Sequence, residues 1–259
     1  MFILGLILAV LVGVSLGLVG SGGSILTVPI FVYIFKVDPV LATAYSLFAI
    51  GVTSITGGIH GIIQKNVDFD KLIKFGIPSM ISVFVMRKFI VPFIPEEFFI
   101  FGYVIPQVTV LMVLFAIVML LAAYAMFKEV IIPRTSYPFA GVVIKGIIVG
   151  SVTGIVGAGG GFLIIPALTN FFHMSMKKAV ATSLVLIAIN SFLGLLGDWR
   201  HINLFDWNML LEYTSLTILG VFMGFYLSTK INGKSLKRIF AVGIMLVAIF
   251  VLMTEFGII

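Results

Sequence analysis

Along this chain apolar residues neither alternate with the two-residue period of a half-buried strand nor keep to one face of a helix; they run all the way round. Such runs predict ten helical segments. The first five are Phe2 to Val19, Ser24 to Phe35, Pro39 to Ile63, Leu72 to Phe93 and Phe98 to Phe127. The second five are Ala140 to Val156, Gly161 to Phe172, Lys178 to Gly197, Met209 to Thr229 and Leu236 to Phe256. Between the two groups, KEVIIPRTSYP carries charges and prolines and reads as a connection. The pattern therefore divides the chain into a first transmembrane repeat at 1–127, a linker at 128–139 and a second transmembrane repeat at 140–259.

The groups repeat each other at an offset of 137 residues: Gly13, Gly17, Gly20, Gly22, Gly23 and Pro29 fall on Gly150, Gly154, Gly157, Gly159, Gly160 and Pro166. The match runs on through Ala44, Ser46, Ser54 and Asn66 to Ala181, Ser183, Ser191 and Asn203. In each group the first two segments hold about 34 residues, or roughly 50 Å of helix at 1.5 Å per residue. That is too long for one crossing of a bilayer and tight for two. A hairpin with its Gly-rich turn inside the membrane fits best, although two minimal crossings give the same parity.

Composition settles the solvent. Of 259 residues 61% are hydrophobic and 10% charged, and the mean hydropathy is +1.27, which describes an all-α polytopic membrane protein. The opening MFILGLILAV resembles the apolar core of a signal peptide, but no Lys or Arg precedes it, and Phe2 to Val19 is read as retained. With no Cys, disulfides, thiolate metal sites and cysteine catalysis are excluded. The net charge of +6 reads as cytoplasmic loops and not as a nucleic-acid surface.

Counting those charges tests the parity. With returning pairs, Lys65, Lys71, Lys74, Lys128, Arg134, Lys145, Lys177, Lys178, Lys230, Lys234, Lys237 and Arg238 share one side, against Lys36, Arg87, Lys88 and Arg200. Twelve against four is the bias of cytoplasm against exterior, whereas single crossings give nine against seven. The two repeats are then inverted, each beginning with a Gly-broken helical hairpin, and both termini lie outside a cytoplasmic membrane.

A helix that starts inside a membrane presents unpartnered N–H groups and the positive end of its dipole, which suits an anion. The first break offers Gly20, Ser21, Gly22, Gly23 and Ser24, and the second Gly157, Gly159, Gly160 and Gly161. Tight helix crossing is the competing use of such glycines. A β-branched residue at Gly22, Gly23, Gly159 or Gly160 is expected to harm transport more than one at Gly13 or Gly150. The third segments add Ser46 and Thr53, then Thr182, Ser183 and Asn190, as substrate-binding candidates, with Thr43, Ser54 and Ser191 beside them. For Ser46 and Ser183 interhelical hydrogen bonding competes, while Asn190 reads as cavity lining. Arg87 and Lys88 are expected to snorkel outward near Glu96 and Glu97, and His60 and His201 to be interfacial. No catalytic dyad, metal site or cofactor site is read.

GLVGSGGSILTVPI and GIVGAGGGFLIIPA, followed by ATAYSL and AVATSL, resemble the signatures of the TauE/SafE family of sulfite exporters and anion permeases, over nearly the whole chain. The resemblance implies a secondary transporter of small sulfur-containing or organic anions, often an exporter, without an ATP-binding subunit. By position it carries over Gly20, Gly22, Gly23, Gly157, Gly159, Gly160, Gly161, Ser46 and Ser183; Ser24 departs from the triple glycine kept in the second copy. The expected function is export of a small anion, sulfite or a short organosulfonate, with an uptake permease as the alternative. The expected partners are that substrate and the lipid bilayer, with a homo-oligomer left open. No Lys or Arg is read beside the breaks, so modest affinity is expected.

Overall fold

The computed structural model describes residues 2–20, 23–95, 97–100, 103–127, 139–157, 159–228 and 233–257. Helix α1 is Phe2–Val19 and α2 is Ser24–Pro29. Pro29 has no N–H to continue the ladder, and the chain goes on as a π turn, Ile30–Ile34. The Asp38 carboxylate then accepts from the amides of Val40 and Leu41 at 2.9 and 3.3 Å and caps α3, Pro39–Ile63. Asp68 does the same for α4, Phe69–Val85, which runs on through a π turn, Met86–Ile90, and a 3₁₀ turn, Val91–Phe93. After α5, Gln107–Phe127, come α6, Phe139–Val156, α7, Gly161–Phe172, and α8, Met176–Gly197. A 3₁₀ segment, Trp199–Leu204, leads to α9, Trp207–Ser228, and then α10, Gly233–Glu255. Apart from Phe139, the linker read at 128–139 lies outside the described residues.

One element departs from the pattern. Where an unbroken helix was expected from Phe98, strands β1, Glu97–Ile100, and β2, Tyr103–Pro106, form an antiparallel hairpin with Ile100 opposite Tyr103 and Glu97 opposite Pro106. Helix α5 begins only after Pro106. Short apolar runs do not reveal their period, and here aromatic and β-branched residues around a glycine favour strands.

Glycine seams set the packing. A Cβ on Gly13 would meet the carbonyl of Thr217 and lie 2.9 Å from the Gly220 Cα; one on Gly17 would lie 3.0 Å from the Gly224 Cα. Both partners advance together, so α1 runs parallel to α9, backbone against backbone. Gly146, Gly150 and Gly154 of α6 rest in turn on Phe75, Ser79 and Val83 of α4, again in parallel. On α3, by contrast, Gly51 meets Ser191, Gly57 meets Leu184 and Gly61 meets Ala181, so α3 and α8 run antiparallel. Helix α5 packs on α10. Each end helix of one group thus lies against a helix of the other group.

The α1–α2 hairpin folds back on itself: the Phe35 ring covers Gly5 and meets Phe2 edge-on at 5.5 Å. Six described helices are long and apolar enough to cross a membrane, and large apolar side chains such as Ile81 and Leu246 stand about 60% exposed on their outer faces. That surface suits lipid and not water. The molecule is a helical, multi-pass membrane protein.

Candidate functional site

The start of α7 lies against the α3–α8 pair. Gly157, Gly159 and Gly160 all adopt left-handed backbone, with φ of 73°, 64° and 70°, which only glycine takes without strain. Gly159 approaches Ile50, Ile187 and Ser191, residues near the middle of α3 and α8. Gly160 is the residue before α7, and a Cβ there would overlap the Thr153 side chain. The break therefore brings the N-terminus of a twelve-residue helix deep into the bundle.

Around it, buried polar groups stand without partners. The hydroxyls of Ser46, Ser54 and Ser191 and the Oδ1 of Asn190 make no hydrogen bond, although all four residues are fully buried on α3 and α8. Asn190 Nδ2 donates to Ser79 Oγ at 3.0 Å. Turned over, the same amide accepts from Ser79 and presents its N–H groups instead. Unsatisfied buried groups cost about 1–3 kcal/mol each, so such a cluster marks a place a ligand can complete.

The other residues singled out in the sequence are spread more widely. Ser21 and Gly22 lie outside the described residues. Gly20 is left-handed, with φ of 77°; it packs on Val180 and its carbonyl accepts from Ser183 Oγ at 3.3 Å. Gly23 precedes α2 with an ordinary φ of −69° and presses on the Val12 carbonyl, and Ser24 is buried. With six residues in its α-helical part, α2 is a shorter element than α7. Thr53 donates to the Ala49 carbonyl of its own helix at 2.6 Å, and Thr182 Oγ1 accepts from the Asp68 amide at 3.0 Å. Gly161 is the first, buried residue of α7. Gly159 thus meets Ser191, whereas Gly160 packs on Thr153 of α6, Asn190 reaches Ser79 of α4, and Thr182 and Ser183 serve loop and hairpin contacts.

Arg87 corrects the expectation that it snorkels outward, and with it the absence of a cation beside the breaks. Its side chain has no exposure; Nη1 donates to Thr43 Oγ1 at 2.9 Å and to Asp198 Oδ2 at 3.2 Å. Nε and Nη2 have no partner. Gly157 lies directly against Nη2, and a Cβ there would fall on that nitrogen and on Thr43. A Cβ on Gly197 would likewise lie 2.8 Å from the Arg87 Cβ. The sequence signal was Asp198 at the end of α8: an acid beside a membrane span calls for a base, and Arg87 just past the end of α4 supplies one. Lys88, the next residue, instead points over the Phe84 and Phe89 rings. No group of three or more His, Cys, Asp or Glu among the described residues is arranged to hold a metal.

A family model described as sulfite exporter TauE/SafE matches residues 5–251. A "probable membrane transporter protein" of Xylella fastidiosa is 27% identical over 252 residues, covering 93% of this chain and 91% of the relative. Proteins of the same description from Methanocaldococcus jannaschii and Bacillus subtilis are 30% and 28% identical, over 76% and 90% of this chain and 73% and 89% of their own lengths. No solved structure matches the chain. With helices suited to crossing a bilayer, relatives described as membrane transporters and a family match over almost its whole length, the chain is a membrane transporter, and it belongs to the TauE/SafE family.

Proposed function

We propose that this transporter exports a small anion, sulfite or a short organosulfonate, across the cytoplasmic membrane, seating it where α7 begins on the α3–α8 pair. The carrying observation is the buried, unpartnered hydroxyl of Ser191 beside Gly159, with the Asn190 amide next to it in sequence. A helix N-terminus and a hydroxyl supply donors, and the Asn190 amide adds its N–H groups in the turned orientation, which favours negative charge.

The proposed scaffold is a pair of inverted repeats, 1–127 and 140–259. Its support is directional: if α3 and α4, and likewise α8 and α9, run in opposite senses across their short connections, then antiparallel α3 and α8 with parallel α1–α9 and α4–α6 give corresponding helices opposite directions. The positive-inside bias then sets both termini outside. Broken helices meeting inside an inverted repeat are a recurrent arrangement in secondary transporters.

An inside-negative potential favours outward movement of each negative charge by about 2.3 kcal/mol per 100 mV, so efflux needs no mid-span acid to relay protons. Purified protein in vesicles loaded with sulfite or methanesulfonate should release them faster when the lumen is made negative. Flux that ignores the sign of the potential, or no flux of any small sulfonate, sulfite, thiosulfate or carboxylate, overturns the export reading. Faster uptake into a negative lumen would identify a coupled uptake permease instead.

A further inference from the structure

We infer that Arg87 holds the transported anion on the Nε–Nη2 edge of its guanidinium, and that Asp198, on Nη1, is the built-in carboxylate that tempers its hold. The inference rests on the anion-transport reading and names a ligand group within it. A guanidinium has five N–H donors in a rigid plane, and those on Nε and Nη2 project side by side, matching two oxygens of one sulfonate, sulfite or carboxylate. This is the edge left empty: Nη1 serves Thr43 and Asp198, while Nε and Nη2 are buried without partners. An arginine kept only for packing would spend those donors on carbonyls.

The surroundings keep the edge open. Gly157 carries no side chain where a methyl group would overlap Nη2, so the Gly-rich break and the free edge adjoin. On the other side, Asp198 lines an open cleft of about 1150 Å³, together with Asp38, Lys88 and Gln107. Arg87 is not among the residues lining that cleft. An anion entering from the cleft meets Asp198 first. With Asp198 already on Nη1, an anion on the free edge adds one negative charge beside a neutral pair, and that repulsion keeps the affinity modest and favours release.

The corresponding position in the other half is not a cation. Asp68 and Asp206 cap α4 and α9 identically, through Lys71 N and Met209 N at 3.2 Å each, so these helices correspond at an offset of 138 and Arg87 falls on Phe225. Gly197, which lies against Arg87, corresponds at the offset of 137 to His60, and His60 stacks on Phe225 at 4.5 Å. One end of the molecule thus binds charge and the other presents an aromatic pair. The two faces of the carrier are chemically unequal.

The test is methanesulfonate and sulfite binding to purified protein, by calorimetry, alongside vesicle flux. Arg87→Gln should weaken binding at least about tenfold, as expected for loss of a bidentate, charge-assisted contact, and Asp198→Asn should tighten it by a similar factor by removing the repelling charge. Because Arg87→Gln alone removes the cation beside the buried Asp198 and can misfold, the double variant Arg87→Gln/Asp198→Asn is the deciding protein: it should fold with a neutral hydrogen-bonded pair and still fail to bind. Wild-type binding and flux in the double variant, unchanged affinity in Asp198→Asn, or no binding by the wild type each overturns the inference. Arg87-dependent binding without vesicle flux would uphold the anion seat while sinking the export reading.

Discussion

Ser191 and Thr53 are both buried hydroxyl-bearing residues on the central helix pair, and their environments differ. Thr53 spends its proton on the Ala49 carbonyl, whereas Ser191 has no partner and faces Gly159. Ser191→Ala therefore removes an unsatisfied group and should leave the melting temperature in detergent unchanged or raised, since the relief is of order 1 kcal/mol, yet it should slow methanesulfonate flux about tenfold. Thr53→Val, which removes a local bond outside the cluster, should change flux less than twofold. A fall in stability with Ser191→Ala, or equal losses of flux in both, would return Ser191 to a packing role. Residue types and depths were legible in the sequence; partners were not. Arg87 shows why: outward snorkelling and inward pairing demand the same residue near the same helix end, and only the position of Asp198 across the bundle separates them.

Elements differ in what holds their ends and their seams. Asp68 caps α4 through the Lys71 amide and pairs with Lys71 Nζ at 3.0 Å. Burial pushes its carboxyl up, but the hydrogen bonds and charge of Lys71 outweigh that and hold it below its ordinary 3.8. A depressed folded value means stability present above the unfolded value and lost as pH falls through the folded one. Asp68→Ala should thus cost about 1 kcal/mol at neutral pH, with the gap to wild type closing only below about pH 4, read by melting in detergent across pH. On the seams, Gly13 and Gly150 are poor controls for the breaks, contrary to the expectation drawn from the sequence, because each already touches a neighbouring backbone. Gly243 has nothing within 4 Å of an added Cβ. Gly150→Ala should therefore lower the melting temperature by several degrees while Gly243→Ala does not, and equal effects would deny the seam its role. Helices this apolar were legible within a few residues. The β1–β2 hairpin was not, because a run of Phe, Ile, Tyr and Val carries no period to betray it.

For the whole molecule, the proposed orientation is open to direct labelling, since no native Cys intervenes. Cysteines replacing exposed Lys36, Lys65 and Lys177 should react with an impermeant maleimide from outside at position 36 alone. Labelling at 65 or 177 in intact cells, with 36 protected, would reverse or break the inverted arrangement. The family and the membrane solvent were legible, since each is written in composition or in spaced glycines. Which half packs on which was not, because glycine spacing marks a face and leaves its partner unnamed. That exchange of partners has a cost in time. Helix α1 is finished by residue 19, but its mate α9 begins at residue 207, and at about 5–20 residues per second the ribosome takes roughly ten to forty seconds to supply it. Through that interval α1 must wait among lipids with its glycine face unmatched.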